Sequence, residues 1–107
     1  MTYCIVKCTT ASKEDSINIA KHLLEKKLIA CANIIPSITS LYEWEGKFNQ
    51  NEESIILMKS KEHHFEEIEN EIKKVHKYEI PEILCIPIIK GNKDYLNWLD
   101  KQTNIMT

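Results

Sequence analysis

Aromatic, charged and imidazole side chains are concentrated in a few short segments of this sequence, and such groups bind small ions or transfer protons. The set that could act together is Tyr42, Trp44, Lys59, His76, Tyr78, Glu79 and Glu82. If burial shifted their pKa values, they could bind a small anion or perform acid–base chemistry, with His76 or Glu82 as the general base. The alternative that we favour is structural: these groups would hold subunits together through buried hydrogen bonds and salt bridges.

The cysteines are a second set of reactive groups: Cys4, Cys8, Cys31 and Cys85. No C-x-x-C pair occurs, so the pattern predicts neither a zinc knuckle nor a thioredoxin-type site. The N-terminal residues lack the pattern of a secretory signal, and we therefore expect free thiols in an intracellular, cytoplasmic protein. For Cys31, within an Ala-Cys-Ala run, packing is favoured over metal or redox chemistry, and Cys85 is predicted to lie in the core.

Two adjacent histidines, His63 and His64, open a predicted helix. Neighbouring helical positions point about 100° apart, so the two imidazoles are poorly placed to chelate one ion. His63 and Glu67 are four residues apart and could hold an adventitious metal ion, but no H-E-x-x-H motif is present. We expect this segment to be a solvated helix start.

Length and composition narrow the class of protein. The 107 residues predict a single domain spanning 1–107, and 43% hydrophobic with 28% charged residues indicate a globular chain without a membrane span. The net charge is −2 and the sequence contains no arginine, which disfavours a nucleic-acid partner and electrostatic docking to a membrane. Two glycines cannot build a phosphate-binding loop, and no G-x-S-x-G elbow occurs.

The hydrophobic pattern predicts alternating strands and helices. Strands are predicted at 3–9, 29–44, 47–60 and 83–89, and helices at 13–28, at 62–75 and in a short segment capped by Asn92 or Asp94. The order β-α-β-β-α-β, followed by a C-terminal helix, indicates an α+β fold of the ferredoxin-like, split βαβ type. Pro36 and Pro87 fall in the second and fourth strands, which are the sheet edges in this fold and tolerate proline.

The second and third strands form an unusually long hairpin around a predicted turn at Glu45 and Gly46. Each arm would extend roughly 50 Å, whereas a compact chain of this length has a radius of gyration of about 13 Å. A hairpin that overhangs its own core exposes strand edges, so we expect a homo-oligomer in which another chain covers them. A turn centred on these two residues predicts that Cys31 pairs with Ser60 and Ile35 with Ile56, which brings Lys59 close to Cys31 and Asn33.

Four segments of the chain closely resemble the CutA family, named for divalent-cation tolerance. They are ACANIIP at 30–36, TSLYEWEGK at 39–47, YEIPEI at 78–83 and GNKDYLNWL at 91–99. The resemblance extends over essentially the whole chain. It implies a ferredoxin-like trimer, in which the hairpins of neighbouring subunits pair, and binding of copper or other divalent cations.

The resemblance also identifies candidate ligands and some departures from the family pattern. It makes Cys8 and His76 candidate copper ligands, because thiolate and imidazole both suit copper. Lys77 stands where the family often has proline, and Ser37 where it often has glycine. Val75 replaces a second histidine that is present in some bacterial members, which removes one proposed ligand.

Together these observations predict a trimeric, non-enzymatic protein that binds divalent cations, functions in metal tolerance and needs no organic cofactor. The alternative is a small-molecule sensor comparable to PII-type signalling trimers. Its site would be a cleft between subunits, because the 78–82 segment leads into an edge strand that a neighbouring hairpin could reach. The candidate cleft residues are Cys31, Asn33, Tyr42, Trp44, Lys59, Tyr78, Glu79 and Glu82.

Overall fold

The strands and helices follow one another in the predicted order. The computed structural model describes residues 2–104. The strands are β1 (Tyr3–Thr10), β2 (Cys31–Trp44), β3 (Lys47–Lys61) and β4 (Ile83–Pro87), and the helices are α1 (Lys13–Glu25), α2 (Phe65–Val75) and α3 (Lys93–Gln102). The sheet order is β2-β3-β1-β4, with every neighbouring pair antiparallel. This is the ferredoxin-like arrangement, and β2 and β4, which carry the two strand prolines, are its edges.

Local signals explain where the helices begin and end. The side chain of Ser12 accepts a hydrogen bond from the Asp15 N–H at 3.1 Å and caps α1, while Asn92 caps α3 in the same way. Helix α1 ends three residues before the predicted position 28, because Lys27 adopts a left-handed conformation (φ 60°) and the Leu28 N–H bonds to the Leu23 carbonyl. This Schellman-type ending turns Leu28 into the core, where it is fully buried.

Three other predicted elements differ at their ends. Strand β2 begins at Cys31, two residues later than predicted. The predicted helix at 62–75 begins as a short 3-10 turn, Glu62–His64, before α2 starts at Phe65. Strand β4 stops at Pro87, two residues earlier than predicted. Among residues 2–104, no helix has the length and apolar character needed to cross a membrane.

One face of the sheet packs against helices α1 and α2. Alternate residues of β1 point to this face and are fully buried, as are their partners on β3. The core contains Cys4, Val6, Cys8, Ile19, Leu23, Ile56, Met58, Ile68 and Ile72. The opposite face carries Ile5 and its partner Ile86, and Ile86 remains 43% exposed. We call this opposite side the open face of the sheet.

The β2–β3 hairpin contains a bulge that shifts its register. The predicted pairing holds from Trp44 and Lys47 at the turn to Ile38 and Glu53. Pro36 and Ser37 then lie opposite a single residue, so from Ile35 inwards the pairing changes by one position. The predicted pairs of Cys31 with Ser60 and of Ile35 with Ile56 are therefore wrong: Cys31 pairs with Lys59, and Ile35 with Ile55.

The residue opposite the bulge repairs the backbone hydrogen bonding that the bulge interrupts. Ser54 is fully buried, and its hydroxyl donates to the Ile35 carbonyl at 3.0 Å. The same hydroxyl lies 2.9 Å from that of Ser16 on α1, which in turn lies 2.7 Å from the hydroxyl of Thr10. This chain of hydroxyl groups fixes the base of the hairpin to the helix layer.

Beyond the bulge the hairpin projects from the core, as predicted. We call residues 38–53 the arm. Glu45 and Gly46 both have positive φ, 51° and 77°, which is the geometry of a tight hairpin turn. The protomer measures 45 Å along its longest axis, and Leu41 and Phe48 on the arm are 61% and 74% exposed. The arm therefore carries apolar surface that its own protomer does not cover.

Candidate functional site

A cavity of about 520 Å³ lies between the arm and the segment that leads into β4. We call it the arm cavity. Five predicted cleft residues line it: Tyr42, Trp44, Tyr78, Glu79 and Glu82. The arm supplies the first two through its period-two alternation, and the connector after α2 supplies the other three. These five are brought together within a single protomer.

Sequence reasoning missed the third strand's contribution to the arm cavity. Asn49, Asn51 and Glu53 alternate along β3 and also line it. Asn49 pairs directly with Tyr42, and the Asn51 amide donates to the Tyr42 hydroxyl at 2.5 Å. The predicted register is correct in the arm and places Asn49 opposite Tyr42, so it could have identified Asn49.

A buried carboxylate and a phenol form the inner wall of the arm cavity. The Tyr78 hydroxyl donates a hydrogen bond to Glu53 Oε2, and the Glu53 residue is only 8% exposed. Burial, followed by the hydrogen bond to Glu53, raises the pKa of Tyr78 above its ordinary value of 10.0. The phenol therefore stays protonated and acts as a donor.

A second carboxylate is held at the rim by β1. Glu82 Oε1 lies 3.1 Å from Lys7 Nζ and accepts a hydrogen bond from the Thr9 hydroxyl at 3.3 Å. Lys77 lines the cavity, but its Nζ lies 3.1 Å from Asp15 Oδ1 on α1. The ammonium groups of Lys7 and Lys77 are thus both paired with carboxylates.

His76 does not line the arm cavity but positions Tyr78. Its Nε2 lies 2.8 Å from the Thr9 carbonyl oxygen, and its Nδ1 accepts a hydrogen bond from the Tyr78 N–H at 3.0 Å. This pattern assigns the neutral tautomer with the proton on Nε2. The rings of His76 and Tyr78 pack with centroids 4.9 Å apart. Both ring nitrogens of His76 are therefore engaged in hydrogen bonds.

Cys8, the other candidate metal ligand, is fully buried on the helix-facing side of β1. Burial, followed by the charge of Glu82, raises the pKa of its thiol to about 12. Cys8 Sγ lies 3.8 Å from the Thr9 carbonyl oxygen, the same oxygen that His76 contacts. Within the described residues no three His, Cys, Asp or Glu side chains form a metal-ligand group. Cys8 and His76 in this arrangement do not make a ready metal site, and their role as ligands stays a prediction.

The remaining three cleft residues, Cys31, Asn33 and Lys59, lie near the base of the hairpin rather than at the arm cavity. Lys59 Nζ is 4.0 Å from Cys31 Sγ, and Asn33 pairs with Leu57 on the same face of the ladder. Tyr95 of α3 contacts Cys31, and burial followed by this contact raises the pKa of Tyr95. In the protomer, the predicted cleft thus separates into two groups of residues.

The predicted solvated helix start is wrong for one of the two histidines. His64 is 9% exposed, and its Nε2 lies 2.8 Å from the Thr103 carbonyl oxygen at the end of α3. Burial lowers the pKa of His64. His63 is exposed, as expected. The pattern missed His64 because its partner is 39 residues away in the sequence.

The chain is similar to proteins of one family over nearly its whole length. Residues 4–102 match the family described as CutA1 divalent ion tolerance protein. The chain is 40% identical over 99 residues to the divalent-cation tolerance protein CutA of Thermus thermophilus, covering 92% of this chain and 96% of that protein. It is 42% identical over 96 residues to the protein of the same name from Yersinia pestis, covering 90% of this chain and 81% of the relative.

Solved structures agree with this similarity. The divalent cation tolerance protein of Thermus thermophilus superimposes with a TM-score of 0.92 at 39% identity, covering 95% of this chain and 99% of that one. A protein described as the periplasmic divalent cation tolerance protein CutA of Archaeoglobus fulgidus superimposes with a TM-score of 0.93, also at 39% identity and with the same coverage of both chains. The predicted fold class is confirmed.

Proposed function

This chain belongs to the CutA1 family of divalent ion tolerance proteins, and from that membership we propose that it binds divalent cations, copper among them, and contributes to metal tolerance without catalysing a reaction. The family match over residues 4–102 is the observation that carries the proposal. A binding role rather than a catalytic one also suits the arm cavity, because Lys7 and Lys77 are paired with carboxylates and burial, together with Glu53, keeps the Tyr78 phenol protonated.

The candidate ligands for copper are Cys8 and His76, and each would have to change its state to bind. Cys8 would lose a proton that burial retains, and His76 would release either the Thr9 carbonyl or the Tyr78 N–H. A copper titration followed by spectroscopy tests this assignment, comparing the unaltered protein with Cys8→Ala and His76→Ala. Cys4→Ala is the matched control, since Cys4 is equally buried on the same face of β1. We expect weaker binding only in the first two variants; equal binding in all four proteins would end the ligand assignment.

We further propose that the protein is a homotrimer. The exposed apolar side chains of the arm and of the open face, which include Leu41, Phe48 and Ile86, support this, because exposed apolar patches mark interaction sites. Sedimentation at micromolar concentration should give a mass three times the 12.5 kDa of the protomer. A stable, folded 12.5 kDa species would contradict the proposal.

A cytoplasmic location is also a proposal. All four cysteines are free thiols, as expected for a reducing compartment. The Archaeoglobus fulgidus relative is described as periplasmic, so the family name alone does not decide the location.

The second candidate function is a small-molecule sensor that uses the arm cavity. The observation that favours it is the cavity's volume of about 520 Å³, which lies within the range of small-molecule sites, together with its aromatic lining. A thermal-shift screen of metabolites tests this function, because a ligand that binds only the folded state raises the melting temperature. No shift with any of a broad set of amines, organic acids and nucleotides would count against it.

A further inference from the structure

Carboxylates outnumber ammonium groups among the described residues that line the arm cavity. Glu53, Glu79 and Glu82 line it, and Lys77 is the single lysine among the described lining residues. The Lys77 ammonium is paired with Asp15 on α1, outside the lining. Lys59, which the sequence had suggested for this site, lies instead beside Cys31. A small anion would therefore meet a negative surface here, whereas a cation would be attracted.

One of the three carboxylates has no partner among residues 2–104. Glu53 receives the Tyr78 hydroxyl, and Glu82 receives Lys7. Glu79 makes no side-chain hydrogen bond or ion pair with the described residues, and it is exposed at the cavity. Its charge remains available to a ligand.

The other walls of the cavity are aromatic. Tyr42 and Trp44 line it, and the protomer itself leaves 40% and 44% of their surface uncovered. Tyr78 provides a third ring. The faces of such rings attract ammonium groups through their quadrupole, and tryptophan does so most strongly.

We propose that the arm cavity binds a small organic ammonium compound, whose cationic head lies against the aromatic side chains and pairs with Glu79. This deepens the second candidate function, since it names the class of ligand for the same cavity. A metal ion is the less suitable cation, because it requires several ligand atoms directed at one point and no three His, Cys, Asp or Glu side chains meet in the described residues. An ammonium group needs only ring faces and one nearby charge.

Choline and its neutral isostere 3,3-dimethyl-1-butanol provide the test, because they have nearly the same shape and differ in charge. Calorimetric titration of the assembled protein should show choline binding about tenfold or more tightly than the neutral alcohol. Trp44→Leu and Glu79→Gln should each weaken choline binding by about fivefold or more. Glu43→Gln is the matched control, because it also replaces one glutamate by glutamine, at the position next to Trp44. Glu43 alternates to the other face of β2 and does not line the cavity. This variant should bind choline as the unaltered protein does.

Several outcomes would overturn the inference. They are equal binding of the two probes, an unchanged choline affinity in Trp44→Leu and Glu79→Gln, and an equal loss in Glu43→Gln. Binding of acetate or phosphate that Trp44→Leu abolishes would preserve the sensor function but contradict the choice of a cation. If none of these probes binds, the choice of an ammonium ligand fails, while the sensor function is still decided by the thermal-shift screen. The copper experiment is separate, because neither Cys8 nor His76 lines the arm cavity.

Discussion

The side chains of Tyr78 and Glu53 depend on each other. The carboxylate of Glu53 is almost completely buried, and the hydroxyl of Tyr78 is the donor that compensates its lost hydration. His76 holds the backbone of Tyr78 by accepting its N–H, so the phenol is positioned from both sides. The inner wall of the arm cavity therefore depends on three residues, of which only Tyr78 and His76 stood out in the sequence.

We expect Tyr78→Phe to lower the free energy of unfolding by about 1 to 3 kcal/mol, because it leaves a buried carboxylate without its donor. Tyr42→Phe is the control, since its hydroxyl belongs to a partly exposed residue and accepts from Asn51. Its effect should stay below about 1 kcal/mol. Urea denaturation measures both values, and equal losses would argue against a special role for the Tyr78–Glu53 pair.

Glu71 makes stability depend on acidity. Lys74 and then His22 hydrogen-bond its two carboxylate oxygens at 2.7 and 2.8 Å and lower its pKa from 4.5 to about 2. Because the folded state favours the ionised form, Glu71 contributes stability above its unfolded pKa and loses it as the pH falls from about 4.5 towards about 2. We expect the melting temperature of Glu71→Gln to depend less on pH over this range than that of the unaltered protein. Glu69→Gln should keep the original profile, since Glu69 has only a partly exposed partner, Lys73, at 3.7 Å.

At the scale of the elements, local sequence patterns were enough to predict the turns and helix ends that local interactions determine. The cap at Asn92 and the turn at Glu45 and Gly46 were both predicted, and each involves residues close together in the chain. The early end of α1 could not be predicted, because a lysine rather than a glycine occupies the left-handed position. The register from Ile35 towards the core was mispredicted because the extra residue of the bulge lies on β2. The hydrophobic alternation on β3 continues past the bulge unchanged and gives no sign of it.

Lys27 offers a test of that helix end. We expect Lys27→Gly to raise the free energy of unfolding by about 0.5 to 1 kcal/mol, because glycine adopts positive φ without strain. Lys26→Gly, at a position with an ordinary helical φ of −84°, should instead destabilise. Thermal melts of the two variants check the difference, and stabilisation by both would contradict the explanation.

At the scale of the whole molecule, the features that the sequence did not predict depend on contacts between residues far apart in the chain. Glu53 and Tyr78 are 25 residues apart, so their contact depends on how the arm lies over the connector. For the same reason the arm cavity has a negative lining rather than the mixed one expected from the sequence. The projecting arm itself could be predicted, because strand length is readable from the hydrophobic pattern. The extent of the domain, residues 1–107, stays a prediction.

The proposed trimer requires a neighbouring chain to cover the open face of the sheet. Ile86→Glu should shift the sedimenting species towards the 12.5 kDa protomer, because it places a charge on apolar surface that a neighbouring chain would cover. Leu24→Glu is matched in exposure, 42% against 43%, but lies on α1 and should leave the assembly intact. An unaltered assembly in Ile86→Glu would exclude this face from the interface.

The extra residue at Pro36 and Ser37 has a consequence for how this fold can vary. The turn fixes the register of the outer half of the hairpin, and the core fixes that of the inner half. A chain lacking Ser37 would have one residue of β2 opposite one residue of β3 at this point, so the two strands could pair without a bulge. Because a bulge bends its strand, removing it would change the angle between the arm and the core, and with it the distance from Tyr42 and Trp44 to the connector. A single-codon deletion would thus change the shape of the arm cavity while leaving the strand pairs on either side of the bulge in register.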